Sequence, residues 1–61
     1  MTPRLTVVIA DDEPIARAGL RRMLDATGAV EVLGEAASGT AAVEAIDRLR
    51  PELVFLDVRM P

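Results

Sequence analysis

Three aspartates stand directly after apolar runs, and their positions make them the residues of this 61-residue chain best suited to chemistry. Asp11 and Asp12 follow the run at residues 5–10, and Asp57 follows the run at residues 53–56. A continuous apolar run is typical of a strand buried on both faces in a parallel sheet. Because a buried carboxylate is costly unless it surfaces or meets a positive charge, we expect Asp57 at the carboxyl end of its strand, facing a polar site.

The chemistry open to three such carboxylates is the binding of a hard divalent cation. Sites in parallel α/β sheets form at the carboxyl ends of the strands, so Asp11, Asp12 and Asp57 converge if the first and third strands are neighbours. Mg²⁺ suits such a patch, because it takes oxygen ligands, keeps several waters and often completes its shell with a phosphate. Asp57 is then the best candidate for a nucleophile toward phosphorus, forming an acyl phosphate, since the apolar run behind it fixes its position.

Each of these features also has a plainer interpretation when it is taken alone. A lone strand-end aspartate is more often a loop or cap residue than a nucleophile, and an Asp-Asp-Glu-Pro stretch before a helix is usually capping chemistry. The arginines of the first helix are expected to be solvated, with Arg21 and Asp25 spaced for an i,i+4 ion pair. The combination of acids after the first and third strands is what favours a site.

The pattern upstream of Asp57 predicts alternating strands and helices. The first helix is expected to begin at Pro14, with Asp12 as its candidate N-cap, and to end at Thr27 and Gly28. The apolar residues at helical spacing are expected to form buried faces. These are Ile15, Ala16, Gly19, Leu20, Met23 and Leu24 in the first helix, and Ala42, Val43, Ile46 and Leu49 in the second.

The remaining elements complete a β-α-β-α-β order. A shorter second strand, in which Val30, Val32 and Leu33 alternate with Glu31 and then Glu35, suits a sheet edge. The segment 38–40 opens the second helix, and Pro51 ends it and starts the third strand. The short connections predict an α/β fold with a parallel sheet and right-handed crossovers.

Composition restricts the function further. The chain has no cysteine and no histidine, and its seven positive charges are all arginines, which excludes thiolate metal sites and histidine or lysine chemistry within these residues. The net charge of −3 argues against nucleic-acid binding by this segment. No apolar run approaches the length of a membrane span, and the first residues lack the apolar core of a signal peptide, so we expect a cytoplasmic protein with no membrane partner.

With these motifs in view, the chain resembles the receiver domain of bacterial two-component response regulators. The matching segments are residues 8–14 (VIADDEP), residues 32–36 with Ser38 and Gly39, and residues 50–61 (RPELVFLDVRMP). The resemblance implies one receiver domain over residues 1–61. It also implies the flavodoxin-like, CheY-like doubly wound parallel sheet, with strand order 2-1-3 for the portion present.

The resemblance also implies roles for individual residues. Asp57 looks like the phospho-acceptor, and Asp12 matches the direct Mg²⁺ ligand of the family. Asp11 matches its acidic neighbour, which acts through a bound water, and the backbone carbonyl of Arg59 would be the remaining protein ligand. The implied phosphodonor is a sensor histidine kinase, and the surface around residues 14–18 resembles the one that meets its helices.

A receiver needs about twice this length, so these residues are expected to be its first half. The switch Ser/Thr and the phosphate-neutralising lysine of the family would lie beyond residue 61. The resemblance implies a signalling module that is not an enzyme, that forms homodimers through its later elements, and that controls a downstream output domain. A weak likeness to regulators with a LytTR-type domain favours a DNA-binding output.

Two other functions stay open from the sequence. The first is a receiver-like scaffold that works through protein contacts without phosphorylation; such scaffolds usually lack one or more pocket acids. The second is an Mg²⁺-dependent phosphatase with an aspartate nucleophile, although such families typically place that nucleophile after the first strand. If the 61 residues stand alone, Val54, Phe55 and Leu56 form an open edge, and we expect the polypeptide to be unfolded, aggregated or paired along it.

Overall fold

A computed structural model describes residues 3–56 of the chain as one three-stranded parallel sheet with two helices. The strand order is β2-β1-β3, so the predicted α/β fold class and order are confirmed. The predictions for Asp57 and Arg59 concern residues 57–61, which lie outside the described part. Neither helix within residues 3–56 is long and apolar enough to cross a bilayer. The elements are β1 (Leu5–Ala10), α1 (Pro14–Thr27), β2 (Val30–Ala36), α2 (Gly39–Leu49) and β3 (Leu53–Leu56).

The central strand β1 forms the core of the described fold. It pairs with β2 on one side and with β3 on the other. Val7, Val8 and Ile9 have no exposed surface. Successive residues of a strand point to opposite faces, so their burial shows that both faces of β1 are covered. This two-sided burial explains why β1 is a continuous β-branched run without polar alternation.

The second strand lies at an edge, as predicted, but it is longer than expected. It has seven residues against six in β1. The register passes from Val7 opposite Val32 to Val8 opposite Gly34, so Leu33 is an extra residue without a partner in β1. Because side chains alternate with a period of two, this bulge moves every later residue of β2 to the opposite face.

The start of α1 differs from the prediction in one respect. Pro14 begins the helix, but the N-cap is Glu13, whose carboxylate accepts a hydrogen bond from the Ile15 N–H at 3.3 Å. Asp12 is therefore not the cap, and its carboxylate is left for other contacts. The helix ends as predicted at Gly28, which has a left-handed φ of 70° and whose N–H donates to the Asp25 carbonyl.

The predicted buried faces of the helices are only partly correct. Within the described part, Ile15 is 82% exposed, Met23 69% and Val43 67%. In α2, Ala42 is buried as predicted, Ile46 is 37% exposed, and Ala45, which the prediction did not include, is buried. Small residues are favoured there because α2 approaches β2 closely: a Cβ on Gly34 would lie 2.8 Å from Leu49 Cδ1.

The third strand is less buried than its apolar sequence predicts. Leu53 is 42% exposed and Leu56 57% exposed, while Val54 and Phe55 are half-buried. Among residues 3–56, β3 pairs only with β1 and forms the second edge of the sheet. The expectation of burial on both faces is therefore wrong for β3 in the described structure, where Leu53 and Leu56 are exposed.

Candidate functional site

The candidate site lies where β1 and β3 end. The two strands run parallel in a register that sets Val8 opposite Val54 and Ala10 opposite Leu56. Asp11 follows Ala10 directly, at the carboxyl edge of the central strand. Since the strand order places β1 and β3 side by side, the predicted requirement that the first and third strands be neighbours is met.

At the opposite end of the two strands, hydrogen bonds between Thr6 and Glu52 hold the register. We call these bonds the Thr6–Glu52 clasp. The Glu52 N–H donates to the Thr6 carbonyl at 3.0 Å, and the Thr6 N–H donates to Glu52 Oε1 at 3.0 Å. The Thr6 hydroxyl also lies 3.2 Å from Glu52 Oε1 and 3.0 Å from the Glu52 nitrogen. A one-residue slip of β3 along β1 would break all of these bonds, so the clasp fixes which residues end the two strands together.

Asp11 is the most constrained acid of the site. It is only 9% exposed, and its N–H donates to the Ala36 carbonyl at 3.0 Å. Its Oδ1 accepts a hydrogen bond from the Glu13 N–H at 2.9 Å, and its own carbonyl accepts one from Arg17 Nη1 at 2.7 Å. Within residues 3–56, Oδ2 is the carboxylate oxygen that no hydrogen bond occupies, so it remains available as an acceptor or ligand.

Asp12 has the opposite character. It is exposed, and its carboxylate accepts no hydrogen bond in the part of the chain that the structure describes. A buried, fixed acid and an exposed, unengaged acid thus stand in adjacent positions at one strand end. Asp11 is thus fixed in position by its hydrogen bonds, whereas Asp12 could bind a cation without first breaking a hydrogen bond to a described residue.

Two arginines of α1 meet one glutamate of β2 beside the site, and we call Arg17, Arg21 and Glu35 the arginine clamp. Arg17 Nε donates to Glu35 Oε1 at 3.0 Å, and Arg21 Nη1 donates to Glu35 Oε2 at 2.6 Å. The hydrogen bond from Arg21, helped by that from Arg17, holds the pKa of Glu35 below its ordinary value. The same hydrogen bond raises the pKa of Arg21.

This clamp is not among the predictions from the sequence, which place the arginines of α1 on a solvated face. The predicted ion pair of Arg21 with Asp25 is confirmed at a separation of 3.9 Å. The spacing of Arg17 and Arg21 by one helical turn was a usable signal that both could reach one partner. The partner could not be chosen from the sequence, because the bulge at Leu33 decides which face of β2 Glu35 occupies.

The residues present fit a hard cation as far as they are described. Mg²⁺ prefers carboxylate and carbonyl oxygens and keeps several waters, and Asp11 and Asp12 supply carboxylate oxygens at one strand end. Residues 3–56 contain no cluster of three or more potential metal-binding side chains. The third predicted acid, Asp57, and the predicted carbonyl of Arg59 lie outside this range, so the full ligand set stays a prediction.

The chain matches a known protein family and several known proteins. The family described as "Response regulator receiver domain" matches residues 7–61. The chain is 44% identical over 57 residues to the transcriptional regulatory protein BtsR of Salmonella typhi, covering 93% of this chain and 24% of BtsR. BtsR of Escherichia coli K12 is 40% identical over the same length and coverage. The chain thus spans about a quarter of the length of these curated relatives.

Solved structures agree with this assignment. The signal receiver domain of the putative response regulator NarL from Mycobacterium tuberculosis is 43% identical with a TM-score of 0.94, and the match covers 98% of this chain and 48% of that one. RcsB from Salmonella enterica serovar Typhimurium, bound to promoter rprA in the presence of phosphomimetic BeF3-, is 34% identical with a TM-score of 0.88. That match covers 97% of this chain and 29% of the RcsB chain.

Proposed function

The chain belongs to the response regulator receiver domain family, and from that premise we propose that it accepts a phosphoryl group on Asp57 from a sensor histidine kinase. Asp12, Asp57 and the backbone carbonyl of Arg59 would hold Mg²⁺, and Asp11 would act through a bound water. The bound ion would supply neutralisation of the phosphoryl oxygens, which is the main requirement of phosphoryl transfer. Family membership supports the phosphodonor, and the donor set at the end of β1 supports the metal.

The observation that carries the proposal is the register of β1 and β3. Ala10 and Leu56 are partners in neighbouring parallel strands, and in the sequence each is followed directly by an aspartate. A cation that bridges the two strand ends would relieve the repulsion between their acids.

The proposed step is a transfer between two nucleophiles. A carboxylate oxygen of Asp57 attacks the phosphorus of a phosphohistidine, the O–P bond forms and the P–N bond breaks. The electron pair of the broken P–N bond stays on the imidazole nitrogen of the kinase histidine, and no oxidant or reductant is needed. The described residues contribute by fixing the geometry. The hydrogen bonds of Asp11 and the β1–β3 register set the positions of the strand ends before the phosphodonor binds.

Phosphoryl labelling of the intact protein tests the proposal. Wild-type protein incubated with Mg²⁺ and acetyl phosphate as the donor should gain one phosphoryl group by intact mass and lose it on treatment with hydroxylamine, as an acyl phosphate does. Asp57→Asn should abolish the label, because an amide is not a nucleophile toward phosphorus. Asp47→Asn, at an exposed position of α2, is the matched control and should label like the wild type. Labelling that survives Asp57→Asn contradicts the assignment.

We further propose that phosphorylation controls a transcriptional output elsewhere in the protein. The support is that relatives such as BtsR are named transcriptional regulatory proteins, and that the RcsB structure holds a promoter together with a phosphomimetic. Binding of fluoroberyllate separates this function from a phosphorylation-independent scaffold. Binding that requires both Mg²⁺ and Asp57 is expected, and a protein that engages its partners normally without either requirement would be a scaffold.

A further inference from the structure

The arginine clamp of Arg17, Arg21 and Glu35 has a function that reaches the acidic strand end. We propose that Arg17 is a positioning residue which, through the backbone carbonyl of Asp11, fixes the direction in which Asp12 leaves the end of β1. The inference rests on the proposed function, because Asp12 is the acid expected to bind the cation directly. Arg17 itself contacts neither the cation nor the phosphoryl group in this proposal.

The geometry for this role lies in one peptide unit. Arg17 Nη1 donates to the Asp11 carbonyl oxygen at 2.7 Å, the length of a charge-assisted hydrogen bond. That carbonyl belongs to the peptide bond that joins Asp11 to Asp12. Because a peptide unit is planar, fixing its oxygen also fixes its N–H and the Cα of Asp12. Together with the Asp11 N–H bond to the Ala36 carbonyl, this contact defines the exit of the chain from the sheet.

The Arg17 guanidinium is also hydrogen-bonded to Glu35 of β2, and this second contact fixes its position. Its Nε donates to Glu35 Oε1 at 3.0 Å, and the second oxygen of Glu35 is engaged by Arg21. The Arg17 side chain is only 20% exposed, which limits competition from water. Two nitrogens of the planar Arg17 guanidinium thus connect β2 to the turn between β1 and α1. A lysine ammonium lacks this fixed planar arrangement of donors.

A purely electrostatic role predicts the opposite behaviour from a positioning role. A positive charge near a cation site repels the cation, so removing Arg17 should tighten Mg²⁺ binding if charge alone matters. If Arg17 positions Asp12, its removal should weaken Mg²⁺ binding despite the lost repulsion. Changes to residues that orient metal ligands typically weaken metal binding 10- to 100-fold. The sign of the change therefore separates the two roles.

The test is Mg²⁺ titration of the intact protein by isothermal calorimetry, without any phosphodonor. Arg17→Gln is expected to weaken Mg²⁺ binding roughly tenfold, and Arg17→Lys, which keeps the charge but not the fork, is expected to weaken it as well. Arg22→Gln removes an equal charge from an exposed position of the same helix and should bind Mg²⁺ at least as tightly as the wild type. Thermal melts without Mg²⁺ establish that each variant is folded.

The outcomes distinguish this inference from the proposed function. Wild-type or tighter Mg²⁺ binding by Arg17→Gln overturns the positioning role, and if that variant does not fold, wild-type binding by Arg17→Lys overturns it. Asp12→Asn serves as the separate arm. If Asp12→Asn binds Mg²⁺ as the wild type does, the metal site of the proposed function fails, whatever the arginine variants show.

Discussion

At the scale of single residues, the site depends on acids whose hydrogen bonds differ. Asp11 is buried and fixed by bonds to its N–H, its carbonyl and one carboxylate oxygen. Asp12 is exposed and unengaged among the described residues. Each carboxylate oxygen of Glu35 is paired with a guanidinium group, Oε1 with that of Arg17 and Oε2 with that of Arg21. Of these three acids, Asp11 and Glu35 are therefore held by structural hydrogen bonds, whereas Asp12 is the proposed cation ligand.

The arginine clamp predicts a pH dependence of stability. The pKa of Glu35 is lowered chiefly by its hydrogen bond to Arg21. A lowered folded-state pKa stabilises the protein above the ordinary value of 4.5, and this stabilisation is lost as the pH falls through the folded-state value. Urea unfolding at a series of pH values should show a decline toward acid that is shallower in Glu35→Gln than in the wild type.

The matched control is Glu44→Gln, which changes an exposed glutamate of α2. It should keep the wild-type slope of the free energy of unfolding against pH. Parallel profiles for the wild type and Glu35→Gln would contradict the clamp.

At the scale of elements, the order and type of the strands and helices could be predicted from the sequence, and their faces only in part. Apolar runs, the Pro14 start and the Gly28 stop are local signals, and all five elements lie where these signals place them. The orientation of Glu35 could not be predicted, because it depends on the extra residue Leu33 in β2. Strict alternation would put Glu31 and Glu35 on one face, and the bulge separates them.

The same limit applies to the site. Strand-end aspartates and the neighbouring positions of β1 and β3 follow from the α/β pattern. The clamp and the Thr6–Glu52 clasp join residues that are distant in sequence. Such pairs depend on the strand register and on how the helix packs on the sheet. The hydrophobic periodicity of a single sequence predicts neither of these.

Two glycines of the first helix segment should respond to alanine with opposite signs. Gly19 is inside α1, and an added Cβ would meet nothing within 4 Å, so Gly19→Ala should raise the free energy of unfolding by about 0.5–1 kcal/mol. Gly28 ends the helix at a φ of +70°, so Gly28→Ala should lower it by about 1 kcal/mol through backbone strain. Chemical denaturation of both variants measures the difference, and equal effects would contradict the assigned helix end.

The helix caps offer a second test at this scale. The Ser38 hydroxyl accepts a hydrogen bond from the Ala41 N–H at 3.1 Å and caps α2. Ser38→Ala should cost about 1 kcal/mol, whereas Ser38→Asp should retain most of the stability because aspartate is an equally good cap. A Ser38→Asp variant as unstable as Ser38→Ala would show that the hydroxyl has another role.

At the scale of the whole molecule, the described sheet has two unlike edges. The β2 edge carries Glu31 and Glu35, which form ion pairs. The β3 edge carries the exposed Leu53 and Leu56, together with the unpaired backbone groups of an edge strand. An exposed apolar edge strand favours association with another chain.

We therefore predict that a polypeptide of these 61 residues associates as its concentration rises. Leu53→Lys should reduce this association, because a charge on an edge strand opposes edge-to-edge pairing. Ala26→Lys adds the same charge at an exposed position of α1, which packs on β1 and β2, and should have a smaller effect. Sedimentation velocity measures both, and a wild-type polypeptide that stays monomeric with a sharp melting transition would contradict the prediction.

Paramagnetic NMR can establish whether Asp11, Asp12 and Asp57 share one cation, as proposed. Mn²⁺ in place of Mg²⁺ broadens the amide signals of residues close to it, so in the intact protein we expect the signals of Asp11, Asp12 and Asp57 to be lost together. The amides of Glu31 and Glu44 should stay sharp, and excess Mg²⁺ should restore the lost signals. Broadening that reaches residues 11 and 12 but spares residue 57 would contradict the shared site.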